Sequence, residues 1–244
     1  MIKIRRGLDL PISGVPTQTV EDGPAISQVG LVGSDYQGMK PTMAVKEGDK
    51  VKLGQLLFTD KKNPLVKFTS PASGIVLAVN RGERRTFQSI VIDVEGDSEE
   101  TFEKFDVAQL AELPRDQVVA NLVESGQWVA LRTRPYSKVP SPHTHPASIF
   151  VTAMDSNPLA ADPRIIIGDR YDDFSSGLRV LARLTDGPVN LCTAPQSAIP
   201  GENIDGVREI SFSGPHPAGL VGTHIHFVDP VSAEKTVWSI GYQD

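Results

Sequence analysis

Cysteine is almost missing from this sequence: Cys192 stands alone in 244 residues. One thiol cannot build a disulfide scaffold, a Cys-based zinc finger or a Cys-ligated iron–sulfur cluster. A basic surplus is missing too. The 24 Lys and Arg face 30 Asp and Glu, a net charge of −6. That balance argues against nucleic acid and against direct docking on an anionic lipid surface. Long apolar runs are also absent. The longest, around residues 147–154 and 74–79, fall far short of the roughly 20 residues that cross a bilayer. The opening Met1-Ile2-Lys3-Ile4-Arg5-Arg6-Gly7 has no apolar stretch behind its charges and does not read as a secretory signal. The expectation is a cytoplasmic chain that is held at any membrane by a partner.

What is present is ordinary for a folded protein. Hydrophobic residues make 39% and charged residues 22%, at a length that fits one large domain or two small ones. Collagen, coiled coil and wholesale disorder are excluded. Glycine (21) and proline (19) are plentiful, which predicts many turns and short strands. To about residue 96, short β-rich pieces at 51–58, 66–69, 74–79 and 88–94 alternate with turns. Beyond residue 101 the period changes. Val118, Val119, Leu122 and Val123 share one helical face over 114–124, between Pro114 and Gly126. Residues 127–131 and 148–154 read as strands. Residues 172–184 read as a helix carrying Phe174, Leu178, Leu181 and Leu184, and 188–192 and 208–212 as further strands. Alternating helices and strands predict an α/β layer on a parallel sheet. The expected architecture is a β-rich domain over 1–100, then a Rossmann-like α/β domain over 101–244. The last strands, about 208–244, have room to pack back on the first domain.

The first part has a turn order with a physical meaning. Gly48-Asp49 supplies a tight turn, Gly54 a second bend, and Ser70-Pro71-Ala72-Ser73-Gly74 a third. This order resembles the barrel-sandwich fold of lipoyl and biotinyl carrier domains, with Thr59-Asp60-Lys61 near the carrier-lysine position. A carrier would bear its prosthetic group on Lys61 or Lys62. Carrier domains place that lysine on a minimal hairpin, whereas Lys61-Lys62-Asn63-Pro64-Leu65 reads as a longer and stiffer one. The alternative is a fold relative without the group.

In the second part, Arg132-Thr133-Arg134-Pro135-Tyr136-Ser137-Lys138 reads as a cationic loop beyond the strand at 127–131. Ligands of α/β sheets sit beyond the carboxyl ends of strands. Arg132, Arg134 and Lys138 can hold a polar or anionic group, and Tyr136 offers a hydrogen bond and an aromatic face. The alternative is a surface loop whose cations pair with the acidic surplus. Asp155-Ser156-Asn157 follows the next strand and can face the same crevice, although such clusters are usually turns. The glycine-rich stretch 30–41 is neither a dinucleotide fingerprint nor a Walker loop. Its Tyr36 and Met39 suit an apolar lip for a flat ring, or a loop packed under the first domain.

The five histidines come close together in sequence: His143 and His145, then His216, His224 and His226. If 224–226 is a strand, His224 and His226 share a face and can ligate metal. No third ligand stands beside them, so satisfied structural histidines are the better reading. No serine sits in a G-x-S-x-G elbow.

Several long motifs point further. Gly38-Met39-Lys40-Pro41, Lys61-Lys62-Asn63-Pro64, Leu131-Arg132-Thr133-Arg134-Pro135-Tyr136-Ser137-Lys138-Val139-Pro140, Thr152-Ala153-Met154-Asp155-Ser156-Asn157-Pro158 and Gly214-Pro215-His216-Pro217-Ala218-Gly219 are distinctive. On them the whole chain resembles the A-type subunit family of the bacterial Na+-translocating NADH:quinone oxidoreductases. Family members are longer, so the chain looks like an N-terminal fragment.

The resemblance implies a peripheral protein on the cytoplasmic face of the inner membrane, docked on the membrane-embedded B-type component of the complex. It implies no flavin or cluster of its own, FMN and NADH being bound by other subunits, and ubiquinone as the substrate. The α/β part of the family resembles the flavoprotein of respiratory complex I. There a glycine-rich loop approaches phosphate, whereas residues 130–138 here are bulky and lack glycine. A crevice for a different flat redox ring is what remains. In that crevice Arg132, Arg134, Tyr136 and Lys138 would polarise a quinone carbonyl. Asp35, Tyr36 and Met39 would form the opposing wall, with Asp155 nearby. The alternatives are a structural scaffold without its own quinone site and a degenerate carrier-like binding module.

Overall fold

The computed structural model describes residues 1–199, 201 and 203–244. Its strands in chain order begin with β1 (Ile2–Lys3), β2 (Gln28–Val32), β3 (Pro41–Met43) and β4 (Lys50–Val51). Then come β5 (Leu56–Asp60), β6 (Asn63–Thr69), β7 (Gly74–Arg81) and β8 (Phe87–Val94). Strands β2 to β8 build two small antiparallel sheets, ordered β2-β8-β7-β4 and β3-β5-β6. The turn chemistry makes this sandwich. Gly48 and Gly54 adopt φ of +86° and +81°, values that cost other residues energy and glycine almost nothing. Between the sheets lie Phe58 and Phe68, stacked at 4.6 Å, with Val76, Ile90 and Ile92 buried beside them.

The β5–β6 hairpin is shorter than the sequence suggests. Asp60 pairs with Asn63, so only Lys61 and Lys62 turn the chain. Pro64 lies inside β6 rather than in a loop. It is tolerated because β6 is the edge of its sheet, where a missing N–H breaks no ladder. Lys62 Nζ donates to the Gly38 carbonyl at 3.0 Å.

The second half holds α1 (Arg115–Glu124), β9 (Arg132–Arg134), β10 (Ile149–Ala153), α2 (Pro163–Ile167) and α3 (Tyr171–Ala182). After these come β11 (Val189–Thr193), β12 (Val207–Ser213), α4 (Val221–Val228) and β13 (Val237–Gly241). The six-stranded sheet runs β1-β12-β11-β10-β13-β9. All its pairings are parallel except β13 with β9. The chain steps outward through β10, β11 and β12, then returns to place β13 on the other side of β10. That reversal is the switch point at which open α/β sheets form crevices. The last two strands stay inside this sheet. It is the N-terminus that crosses over, with Ile2 opposite Phe212 and Lys3 opposite Ser213.

One local expectation needs correction, and two further elements differ from or go beyond the sequence reading. Residues 127–130 form a 3-10 turn, not a strand. A short apolar run cannot be told from a buried turn by period alone. Here Trp128 is buried and donates its Nε1 proton to the Pro140 carbonyl at 2.9 Å. Second, residues 221–228 are helical, so His224 and His226 do not share a face: His224 is buried and His226 exposed. Third, β13 falls within the expected last strands, about 208–244, but the sequence reading gives it no bounds. It is nevertheless central, with Trp238 packed edge-on against Trp128 at 5.5 Å.

The two halves are locked at Gly126, which ends α1 with φ +78°. A Cβ there would stand 2.2 Å from Thr69 Oγ1. Thr69 Oγ1 also donates to the Ser125 carbonyl at 3.2 Å. Only glycine permits both the turn and the close approach.

Candidate functional site

The direction of β9 decides which predicted residues can meet. The 3-10 turn delivers the chain to the carboxyl edge of the parallel strands, so β9 runs back against β13. Arg132 is paired with Ser239 at the middle of β13, and Arg134 with Val237 at the amino edge. The loop 135–138 therefore lies at the amino edge, opposite to where a loop after a parallel strand would stand. The expected crevice is split into three places.

The first place is the cleft between the two halves, about 600 Å³ in volume. The guanidinium of Arg132 lies 5.4 Å from the centre of the Tyr36 ring. Its Nη2 donates to the Asp35 carbonyl at 3.3 Å, and its Nη1 donates to the carbonyls of Val129 and Leu131. Tyr36 meets Phe68 edge to face at 4.7 Å. Phe102, Val129 and Asp244 complete the walls. Burial pushes the Tyr36 phenol above its usual range, Arg132 pulls it back, and Asp35 and Asp244 push it up further. Met39 donates its amide to the Tyr36 carbonyl at 3.1 Å and packs on the core, supporting the loop from beneath. Asp35, Tyr36, Met39 and Arg132 thus come together.

The second place is a cavity of about 870 Å³ at the amino edge, lined in part by Tyr136, Lys138, His145 and Trp238. Tyr136 is 75% exposed, and Lys138 Nζ lies 5.8 Å from its ring centre. Arg134 is half-buried, and its Nε has no partner. Tyr136 and Lys138 share this cavity, Arg134 does not line it, and none of the three lines the interdomain cleft.

Asp155 is in the third place, beyond β10. Its Oδ1 accepts from the Asn157 amide at 2.7 Å and from Asn157 Nδ2 at 2.8 Å, an Asx-type turn. It sits across the switch point from Tyr242, whose phenol is pushed up by burial and by the charges of Asp155 and Asp162.

His216 and His224 are held by structural contacts. His224 Nε2 is 2.9 Å from the Ala218 carbonyl, and its ring tilts on Phe212 at 4.4 Å. Burial lowers its pKa to about 4, so the ring is neutral. His216 Nδ1 lies 3.0 Å from both oxygens of Ser156. Among the described residues no three His, Cys, Asp or Glu gather as a metal site. Burial pushes the Cys192 thiol up to about 12, which removes it as a nucleophile.

Sequence reading missed Phe68, Phe102 and Asp244 as cleft walls. Phe68 had a signal, since its alternation with Val66 marks the inner face of β6. Phe102 had none: it packs on Gly54, where a Cβ would stand 3.0 Å from its ring, a contact between distant positions that no local pattern reports.

Comparison with known proteins agrees with this architecture. Residues 2–95 match the model of the NqrA N-terminal barrel-sandwich hybrid domain. Residues 113–244 match that of the NqrA second alpha/beta domain. The chain is similar to the A subunit of the Na(+)-translocating NADH-quinone reductase from Saccharophagus degradans, at 63% identity over 244 residues. It is 61% identical to the protein of that name from Hahella chejuensis and 57% identical to that from Pseudomonas aeruginosa PAO1. Each match takes in all of this chain but only 54–55% of the relative. The chain thus spans about half the length of the curated relatives it matches.

Proposed function

The chain belongs to the NqrA family of the Na+-translocating NADH-quinone reductases, and on that premise we propose that its interdomain cleft receives a quinone headgroup. In this reading the chain is part of a peripheral protein that docks on the membrane-embedded B-type component at the cytoplasmic face. Electrons arrive from flavin held by other subunits, which also bind NADH. No helix among the described residues is long and apolar enough to cross a membrane, and the reading assigns the route of Na+ to other subunits.

The observation that carries the reading is the guanidinium of Arg132 beside the Tyr36 ring, in a cleft of about 600 Å³ lined by aromatic and polar residues together. That volume falls within the usual range for small-molecule sites. A quinone ring is flat and presents two carbonyl oxygens that gain negative charge on reduction. Phe68 and Phe102 give it walls. Arg132 supplies a fixed positive charge in partly desolvated surroundings, where it acts more strongly than in water. The Tyr36 phenol, held protonated, donates to a carbonyl oxygen. Asp35 orients Arg132 through its main-chain carbonyl. Arg134, Tyr136, Lys138 and Asp155 do not line the cleft and are not part of this contact.

One observation favours a second reading, a scaffold. Arg132 donates to three main-chain carbonyls on both sides of the cleft, as a brace would. Steady-state quinone reduction by the assembled complex separates the two. If Arg132 holds the headgroup, Arg132→Ala raises the quinone KM by at least about tenfold in a complex that still assembles. An unchanged KM in an intact complex leaves the scaffold.

A further inference from the structure

The edge of the six-stranded sheet farthest from the cleft has a character of its own. The chain as a whole is acidic, by 24 against 30. Yet Lys3, Arg5 and Arg6 line one wall of a groove of about 510 Å³, opposite Pro217, His226 and Phe227. Ile4 is buried, so the alternation of an extended chain turns Lys3 and Arg5 outward. All three cations are exposed, and none forms an ion pair among the described residues. The nearby acids are engaged: Asp9 accepts the His216 amide at 2.8 Å, and Asp229 pairs with Lys235.

Apolar side chains stand beside these cations in the open. Phe227 on α4 is 53% exposed, and Leu8 and Leu10, just after Arg6, are 71% and 55% exposed. Leu8 is held by its backbone, whose amide donates to the His216 carbonyl at 2.9 Å. A Cβ on Gly7 would stand 2.0 Å from that same oxygen, so glycine lets the strap lie against the groove wall.

We propose that this face rests on an anionic lipid surface, with Lys3, Arg5 and Arg6 against headgroup phosphates and Leu8, Leu10 and Phe227 in the interfacial layer. The proposal depends on the reading of the chain as part of a Na+-translocating complex, because translocation requires a bilayer close by. Cations with adjoining apolar residues are the combination that holds a protein on a membrane without spanning it. The net negative charge does not prevent this. Charges beyond about 10 Å are largely screened at physiological salt, so the local patch decides. The sequence-level expectation against lipid docking came from the total charge, which hides the patch.

The test uses the complete protein carrying this region and vesicles of phosphatidylcholine with or without phosphatidylglycerol. Binding to the anionic vesicles that weakens with salt is the expected result. The double change Arg5→Ala with Arg6→Ala lowers the partition coefficient by about thirtyfold, about fivefold for each cation. Phe227→Ser lowers it too. Arg84→Ala with Arg85→Ala makes the same change in net charge on an exposed turn elsewhere and leaves binding unchanged. No binding to anionic vesicles, or an equal loss in the Arg84/Arg85 control, overturns the proposal. An acidic protein partner is then the occupant. The patch and the cleft lie on opposite edges, roughly 24 Å apart across five strand spacings. Vesicle binding and quinone kinetics therefore fail independently.

Discussion

The guanidinium carbon of Arg132 stands 5.4 Å from the centre of the Tyr36 ring. The two residues belong to differently built halves, one on the antiparallel edge strand β9, the other just beyond β2. Together they give the interdomain cleft its only guanidinium and its one phenol among the described lining residues.

Tyr36→Phe keeps the ring against Phe68 and removes only the hydroxyl. Its expected effect is a quinone KM raised about fivefold to tenfold, the value of one lost hydrogen bond, with an unfolding midpoint close to that of the parent. Parallel kinetics of the assembled complex and urea unfolding of the isolated protein check both halves of this statement.

The Tyr36 phenol also sets an alkaline limit. Its pKa is raised in the folded protein, so the folded state holds that proton more tightly than the unfolded chain. Its contribution to stability is fully present below about pH 10 and is lost as pH rises through the folded pKa. Tyr242 acts in the same direction. Unfolding curves at rising pH should decline above the ordinary tyrosine range, less steeply in Tyr36→Phe.

His224 sets an acid limit of opposite sign. Its pKa falls from 6.5 to about 4 on burial, so the unfolded state binds the extra proton first. Stability is full above about pH 6.5 and declines as pH falls towards 4. Tenfold in that equilibrium is about 1.4 kcal/mol, so the loss approaches about 3 kcal/mol. His224→Gln should flatten the dependence between those values in a pH series of urea midpoints.

Gly126→Ala should destabilise the protein by at least about 2 kcal/mol, through the positive φ and the 2.2 Å approach to Thr69 Oγ1. Adding Thr69→Ala removes the contact and leaves the backbone strain, so it should restore part of the loss. A thermal-unfolding cycle of the four variants measures the coupling; strict additivity would refute the contact.

Much of the fold is written locally. The turns at Gly48 and Gly54 and the periods of α1 and α3 can be read from the sequence because each rests on neighbouring residues. The site could not be read the same way. Asp35 and Arg132 are 97 positions apart, and no period reports such a meeting. The direction of β9 was hidden because the run from Gln127 to Leu131 suits a strand and a buried turn equally well. Reading it as a strand placed Tyr136 and Lys138 with Arg132, where the fold separates them. The element around His224 and His226 was open in the same way, since Val221–Val228 is apolar enough for a strand or a helix.

The most direct measurement is photolabelling of the intact complex with a light-activated quinone, followed by mapping of the labelled peptides. Labels at residues 31–40, 68–71 and 127–132, displaced by unmodified quinone and reduced in Arg132→Ala, are the predicted result. Displaceable labelling confined to other subunits, with these peptides clean, would contradict a headgroup site between Tyr36 and Arg132.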